Sequence, residues 1–175
     1  MLEKIIFNNI VYQVKKLLGK GKGGYSYLVT KDEKEYVIKK IHHEPCSYYQ
    51  FGNKLESEIN DYNRLCQLDI LLPKLIAIDY ENELILKEYI DGPTIYEMVK
   101  NDLMKKIYYD QIKLIASSCI KHNLNIDYYP TNFIVNNNQL FYVDYECNVY
   151  DEKWNYENWG SKFWSKTEDF LRTIK

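Results

Sequence analysis

Two carboxylates and an amide fall close together late in the chain. "NIDYYPTNF", residues 125–133, carries Asp127 and Asn132 with Pro130 between them, and Asp144 follows at the end of "LFYVDY". Asp, Pro and Asn are common turn residues for local backbone reasons, so a turn alone accounts for the spacing. The same residues also suit phosphate chemistry. Mg²⁺ takes hard oxygen ligands, often one or two from protein with the rest from substrate phosphates, and Asn132 and Asp144 would supply them. Asp127 would then orient a substrate hydroxyl and accept its proton.

The first half holds three matching features. Gly19, Gly21 and Gly24 lie in "GKGKGG", and glycines let backbone amides approach phosphates without Cβ interference. In a dinucleotide-binding unit such a run leads into a helix. Here it leads into strand-like "YSYLVT", so a plain hairpin turn and a phosphate-covering loop both remain open. Lys39, in "VIKKI", suits a point charge on phosphate oxygens, or is one exposed lysine among many, as Lys40 beside it suggests. Alternation gives Val37 and Lys39 one face and Ile38 the other. Glu58, in "KLESEINDYNRL", would pair with Lys39 or simply face solvent. Glu56 is its rival, and Glu58 is preferred because Tyr62 and Leu65 follow it on the same apolar edge.

Positioning these residues requires a definite order of elements. "KIIFNNIVYQVKKLLG" reads as strand, Asn8–Asn9 turn, strand, followed by the glycine turn over 19–24 and strands over 25–30 and 36–41. A helix is expected from about Ser47 to Leu68, with Leu55, Ile59, Tyr62 and Leu65 on one face. "KLIAIDY" and "ELILKEYI" are two more strands, "DGP" (91–93) is a break, and "TIYE" (94–97) is a capping-box pattern. A second helix is predicted over 102–121, with Met104, Tyr108, Ile112, Ile115 and Cys119 as its buried stripe. "FIV", "NNN" and "LFYVDY" read as a hairpin, and the tail reads as helical from about Glu157, docking through Phe163, Phe170, Leu171 and Ile174. The expected fold class is α+β and two-lobed. An antiparallel N-lobe sheet with one helix would occupy 1–90 and a reduced, mostly helical C-lobe 91–175. A cleft is expected near the break, the kind of place where small ligands bind.

The hydrophobic share of 46% supports a packed core. A formal net charge of −2 argues against general attraction to nucleic acid or anionic membrane. The apolar runs are far shorter than a membrane span, and "MLEKIIFNNI" lacks the apolar stretch of a signal peptide. Cys46, Cys66, Cys119 and Cys147 are scattered, which predicts reduced thiols and a cytoplasmic setting. His42, His43 and His122 form no evident metal cluster.

Taken in order, the glycine-rich hairpin, strand Lys, helix Glu, break, D-x-x-x-x-N, hairpin and strand-end Asp resemble the protein-kinase-like phosphotransferases, from about residue 14 to 146. The resemblance implies ATP and Mg²⁺ as cofactors. "LGKGKGGYSYLV", with Gly19, Gly21 and Gly24, looks like the nucleotide-covering loop. "YVIK" looks like the lysine strand, with Lys39 on the α- and β-phosphates and Glu58 holding it. "LKEYIDG" (86–92) looks like the connection between lobes, where adenine would bond to the backbone of Glu88 and Ile90 and Lys87 would bound the pocket. Asp127 takes the catalytic position, and Asn132 and Asp144 the metal positions.

Several residues depart from the family pattern. Ser26 stands where a Val usually caps the adenine, Asn125 replaces a His, and Tyr129 stands where Ser/Thr protein kinases usually carry a phosphate-binding Lys. "DYE" replaces Asp-Phe-Gly and resembles the triplet of choline and aminoglycoside kinases. Only 31 residues follow Asp144, too few for an ordinary activation segment. The chain is therefore similar to minimal, atypical, bacterial-type members: RIO kinases, the small kinase of the tRNA-modifying KEOPS complex, and small-molecule kinases. An atypical serine/threonine protein kinase is the expectation. A small-molecule kinase and an ATP-binding pseudokinase or assembly subunit are the alternatives. Trp154, Trp159 and Trp164 are expected to pack the second lobe, with a protein-partner surface as the other reading.

Overall fold

Three two-residue turns organise the strands. Asn8–Asn9, Asp32–Glu33 and Asn137–Asn138 all have left-handed backbones at both positions, with φ between 46° and 63°. That is the turn whose twist matches a two-residue hairpin, and Asn and Asp tolerate it best among residues with a side chain. In the computed structural model, which describes residues 3–45 and 52–174, the chain divides into two compact units. One comprises Met1–Asn60 with Pro73–Tyr89, the other Asp61–Leu72 with Ile90–Lys175. Residues 61–72 and Ile90 thus fall in the second unit, whereas the sequence alone places them in the first.

The first unit is a curled antiparallel sheet of six strands in the order β1-β2-β3-β4-β6-β5. The strands are β1 (Lys4–Phe7), β2 (Ile10–Lys20), β3 (Gly24–Lys31), β4 (Lys34–Ile41), β5 (Leu75–Asp79) and β6 (Leu84–Glu88). Bulges where β2 pairs with β3, and another between β5 and β6, bend it. One face buries Phe7, Tyr12, Val14, Val29 and Ile38. On the other, Ile41 and Ile85 pack against Leu55 of helix α1 (Lys54–Leu65). The helix is shorter than the sequence suggested. Asn53 caps its start, with its side chain accepting from the Glu56 amide, and part of the expected span lies outside the described residues. The glycine turn is shorter too. Gly19 and Lys20 belong to β2 and Gly24 to β3, because bulged pairing carries the ladder up to Lys20–Tyr25.

Curling brings the two edges of the sheet together. Asp79, at the end of β5 and 3% exposed, accepts from the Asn8 amide beyond β1 (2.8 Å) and from the amide and side chain of Asn82 (both 3.0 Å).

In the second unit, α2 (Ile95–Lys100) starts with the predicted capping box: the Glu97 amide donates to the Thr94 hydroxyl, and the Thr94 amide to the Glu97 carboxylate. Helix α3 covers Lys106–Lys121, so Met104 precedes it. Residues 101–105 are instead a link that ends α2 and turns through a left-handed Asp102. Tyr108, Ile112, Ile115 and Cys119 are buried as expected. The hairpin is β8 (Phe133–Asn136) with β9 (Gln139–Tyr142). A second ribbon has no mark in the sequence: β7 (Leu124–Ile126) pairs with β10 (Cys147–Val149), both too short for alternation to show.

The tail is not a continuous helix from Glu157. It has a 3₁₀ turn at Gly160–Phe163 and one helical turn, α4 (Glu168–Leu171). Asn155 caps only a short turn, accepting from the Asn158 amide, and Gly160 lies so close to Tyr128 that any Cβ would come within 2.5 Å of the Tyr128 Cβ. Trp164 is fully buried, but Trp154 is 47% exposed, so the three tryptophans do not share one core role. Among the described residues no helix is long and apolar enough to cross a membrane.

Asp79 gives a stability test with a sign. The Asn8 amide, then the Asn82 side chain and amide, hold its carboxyl below the usual aspartate range. Its contribution is therefore present above the ordinary aspartate value and is lost as pH falls through the lower folded one. Asp79→Ala is expected to cost about 1–3 kcal/mol at pH 7. In urea melts at a series of pH values, the gap from wild type closes as pH drops below about 4.

Candidate functional site

The glycines of the β2–β3 turn differ in what the fold asks of them. None has a left-handed φ, so closeness and not handedness is the issue. A Cβ on Gly24 would sit 2.4 Å from the Lys40 carbonyl, which makes glycine there a packing requirement. Gly19 would meet nothing within 4 Å, and Gly21 only the Gly24 carbonyl at 3.9 Å. A Cβ at Gly23 would face the Lys39 ammonium at 3.9 Å.

The segment after β4 fastens the turn from one side. Glu44 bonds Lys20 Nζ (2.6 Å) and the Tyr25 hydroxyl (2.5 Å), and His42 Nε2 lies 3.0 Å from the Gly21 carbonyl. Lys54 Nζ donates to the carbonyls of His42 (2.6 Å) and Lys22 (3.3 Å). Hydrogen bonds from Lys20 and then Tyr25 lower the Glu44 pKa to about 2.

Lys39 stands on β4 opposite Ser26 of β3 and Ile85 of β6. Its ammonium lies 2.8 Å from Glu58 Oε1, with side-chain exposures of only 12% and 8%. Glu56 is exposed, so the helical phase separates the two glutamates as their apolar neighbours suggested. Glu88 closes β6: its amide donates to the Lys74 carbonyl (2.9 Å) and its carboxylate accepts from the Lys74 amide (3.1 Å). Lys87 and Ile90 are buried, and Ile90 belongs to the second unit.

In the second unit, hydrogen bonds join Asp127, Asn132 and the stretch after β9. Asp127 Oδ1 accepts from the Tyr129 amide (3.0 Å), and the Asp127 carbonyl from Asn132 Nδ2 (3.3 Å). A 3₁₀ turn at Pro130–Asn132 holds that geometry. The Asn132 carbonyl accepts from the Val143 amide (2.9 Å), fixing the chain just before Asp144. Asp144 lies two residues past the end of β9, not within it. Beside it, Tyr145 is buried against Tyr62 (ring centroids 4.6 Å). The wholly buried Tyr142 accepts from the Asp127 amide (3.2 Å) and donates to the Glu146 carbonyl (2.8 Å). Burial pushes its phenol well above the ordinary range, and the negative charges of Asp144 and Asp127 push it further. Tyr142 was not singled out in the sequence. Its one signal was a polar tip inside the otherwise apolar "LFYV".

Asn125, two residues before Asp127, is 5% exposed and donates to the Asp151 carbonyl (2.7 Å). Its Oδ1 is buried with no hydrogen-bond partner. Among the described residues no three His, Cys, Asp or Glu side chains form a metal-holding group. Asn132 and Asp144 carry the oxygen donors that a Mg²⁺ shell shared with phosphate oxygens and water would use. Set against known proteins, the chain matches no family model and no curated sequence.

The Lys39–Glu58 pair can be tested apart from any activity. Breaking a buried pair from one side is more costly than replacing both partners. Glu58→Leu is expected to lose about 3 kcal/mol by urea denaturation, and Glu58→Leu with Lys39→Met to recover about half of that loss. A double variant no more stable than the single one would count against an ion pair desolvated to this degree.

Proposed function

We propose that the chain is an ATP- and Mg²⁺-dependent phosphotransferase of atypical protein-kinase type, transferring the γ-phosphate to a serine or threonine hydroxyl. The first unit would act as the nucleotide-covering lobe of a two-lobed kinase-like fold and the second as the catalytic lobe. The single observation that carries this reading is the Lys39–Glu58 ion pair, 2.8 Å long and almost withdrawn from water. A lysine that only needed solubility would stay exposed. One held by a buried carboxylate beside a glycine turn is pre-oriented for phosphate oxygens. The open space around Gly19 and Gly21 supports it, because packing does not explain glycine at either position.

In this reading Lys39 steadies the α- and β-phosphates, and Glu58 holds Lys39. Gly19, Gly21 and Gly24 cover the phosphates, while the backbone of Glu88 and Ile90 receives adenine. Asn132 and Asp144 hold Mg²⁺. Asp127 orients the acceptor hydroxyl and takes its proton as the oxygen bonds the γ-phosphorus. The bond to the β–γ bridging oxygen breaks, and ADP leaves with that electron pair. Most of the rate comes from positioning and charge neutralisation. A reducing cytoplasm fits the free thiols Cys66, Cys119 and Cys147. Cys46 lies outside the described residues.

A small-molecule acceptor is the second reading, favoured by one observation. Tyr129, whose amide holds Asp127 Oδ1, lies against Phe163 (5.3 Å), so an aromatic ring replaces the expected cation beside the candidate base.

Asp127→Ala is expected to abolish transfer while leaving ATP-dependent thermal stabilisation largely intact. The assay is labelled ATP with Mg²⁺ against proteins and small alcohols. Label only on metabolites selects the second reading. Stabilisation without turnover of any acceptor indicates a nucleotide-binding pseudokinase or assembly subunit. Undiminished transfer by the Asp127 variant would falsify the assignment of the base.

A further inference from the structure

We infer that Tyr142 is a positioning residue for phosphate transfer: its buried hydroxyl sets the Asp127 loop and the Asp144 stretch in register. The inference rests on the phosphotransfer reading and adds to it a residue that the resemblance does not supply.

The argument begins with burial. Tyr142 is 0% exposed and its ring packs on Phe133 (centroids 5.2 Å). A phenol hydroxyl at that depth needs a partner, and phenylalanine would fill the space without that demand. The hydroxyl uses both of its capacities. It accepts from the amide of Asp127 and donates to the carbonyl of Glu146. One side chain thus fastens the residue proposed to take the proton and the segment two residues past the proposed metal ligand. The Val143 amide on the Asn132 carbonyl makes a second tie between the same two stretches. Tyr142 is set on the hairpin strand β9, opposite Phe133, so a rigid element holds the bridge.

Geometry of this kind matters for transfer in a way it does not for nucleotide binding. Misplacing a reacting group by about 1 Å costs up to roughly a hundredfold in rate.

The test is Tyr142→Phe in the full chain. The expected result is a kcat lower by about tenfold to a hundredfold, with KM for ATP within about twofold of wild type. Thermal stabilisation by Mg²⁺ and ATP should persist. A second readout is hydrogen exchange at the Asp127 amide. It should be slow in the unmutated chain and at least about tenfold faster in the variant, while the Ile115 amide inside α3 is unchanged. Because the first half of this measurement uses the native protein, it stands even if the variant does not fold. An Asp127 amide that exchanges as fast as that of Asn137 in its exposed turn overturns the bridge. So does a variant whose kcat matches wild type. No transfer and no ATP stabilisation in the native chain defeats the phosphotransfer reading and this inference with it. Active native protein with an indifferent Tyr142→Phe defeats this inference alone.

Discussion

The turn at Asp32–Glu33 fixes which residues of β3 and β4 face each other, and through them where Lys39 points. Lys31 pairs with Lys34, and the uninterrupted ladder then sets Ser26 opposite Lys39 and Gly24 opposite Ile41. Side chains alternate along a strand, so a slip of one residue would send Lys39 to the face that buries Phe7, Tyr12 and Ile38. The correct register keeps it with Ile41 on the face that α1 covers, where Glu58 reaches it. Glu33 is an unusual residue for a left-handed backbone, at a cost of about 1 kcal/mol that the ladder must offset. The same register explains Gly24, which lies too close to the Lys40 carbonyl to bear a side chain.

The second unit fixes its candidate residues differently. Asp127, Asn132 and Asp144 do not share one strand, so no ladder indexes them. Their stretches are joined by amide–carbonyl and hydroxyl contacts: Asn132 to the Asp127 carbonyl, Val143 to Asn132, and Tyr142 to Asp127 and Glu146. Each such bond is worth only about 1 kcal/mol net, but leaving its partners buried and unmade costs more. Their combined effect is to restrict the loop to one arrangement. The hairpin beneath them is again set by a left-handed pair, Asn137–Asn138, as in the first unit.

The readable parts of this fold were those governed by local chemistry. Asn-Asn turns, the Thr94–Glu97 capping box, the α3 stripe and the choice of Glu58 over Glu56 all follow from neighbours within a few residues. What escaped detection depends on distant partners. β7 and β10 are three residues each and are strands only because they pair with each other. Asp79 reads as an ordinary turn acid until curling carries Asn8 to it. Tyr142 shows only a polar tip in an apolar run, because its partners are backbone groups, which the sequence does not mark. The tail misled by composition. Its apolar residues suit a helix, yet Gly160 packs on Tyr128, a contact that periodicity cannot show.

That broken tail has a mechanical consequence for the Asp127 loop. A continuous helix from Glu157 would present one face, whereas the observed turns bring three separate groups to the loop and its supports. Trp164, fully buried, donates its indole N–H to the Tyr128 carbonyl at 2.8 Å. Gly160 allows the backbone to lie directly on Tyr128, and the Tyr109 hydroxyl of α3 donates to the Trp164 carbonyl. Tyr128 is the residue after Asp127, so the tail clamps the loop from the side opposite in sequence to Asn125, which reaches the Asp151 carbonyl. Here a 3₁₀ turn and one tryptophan brace the loop, which accounts for the complete burial of Trp164.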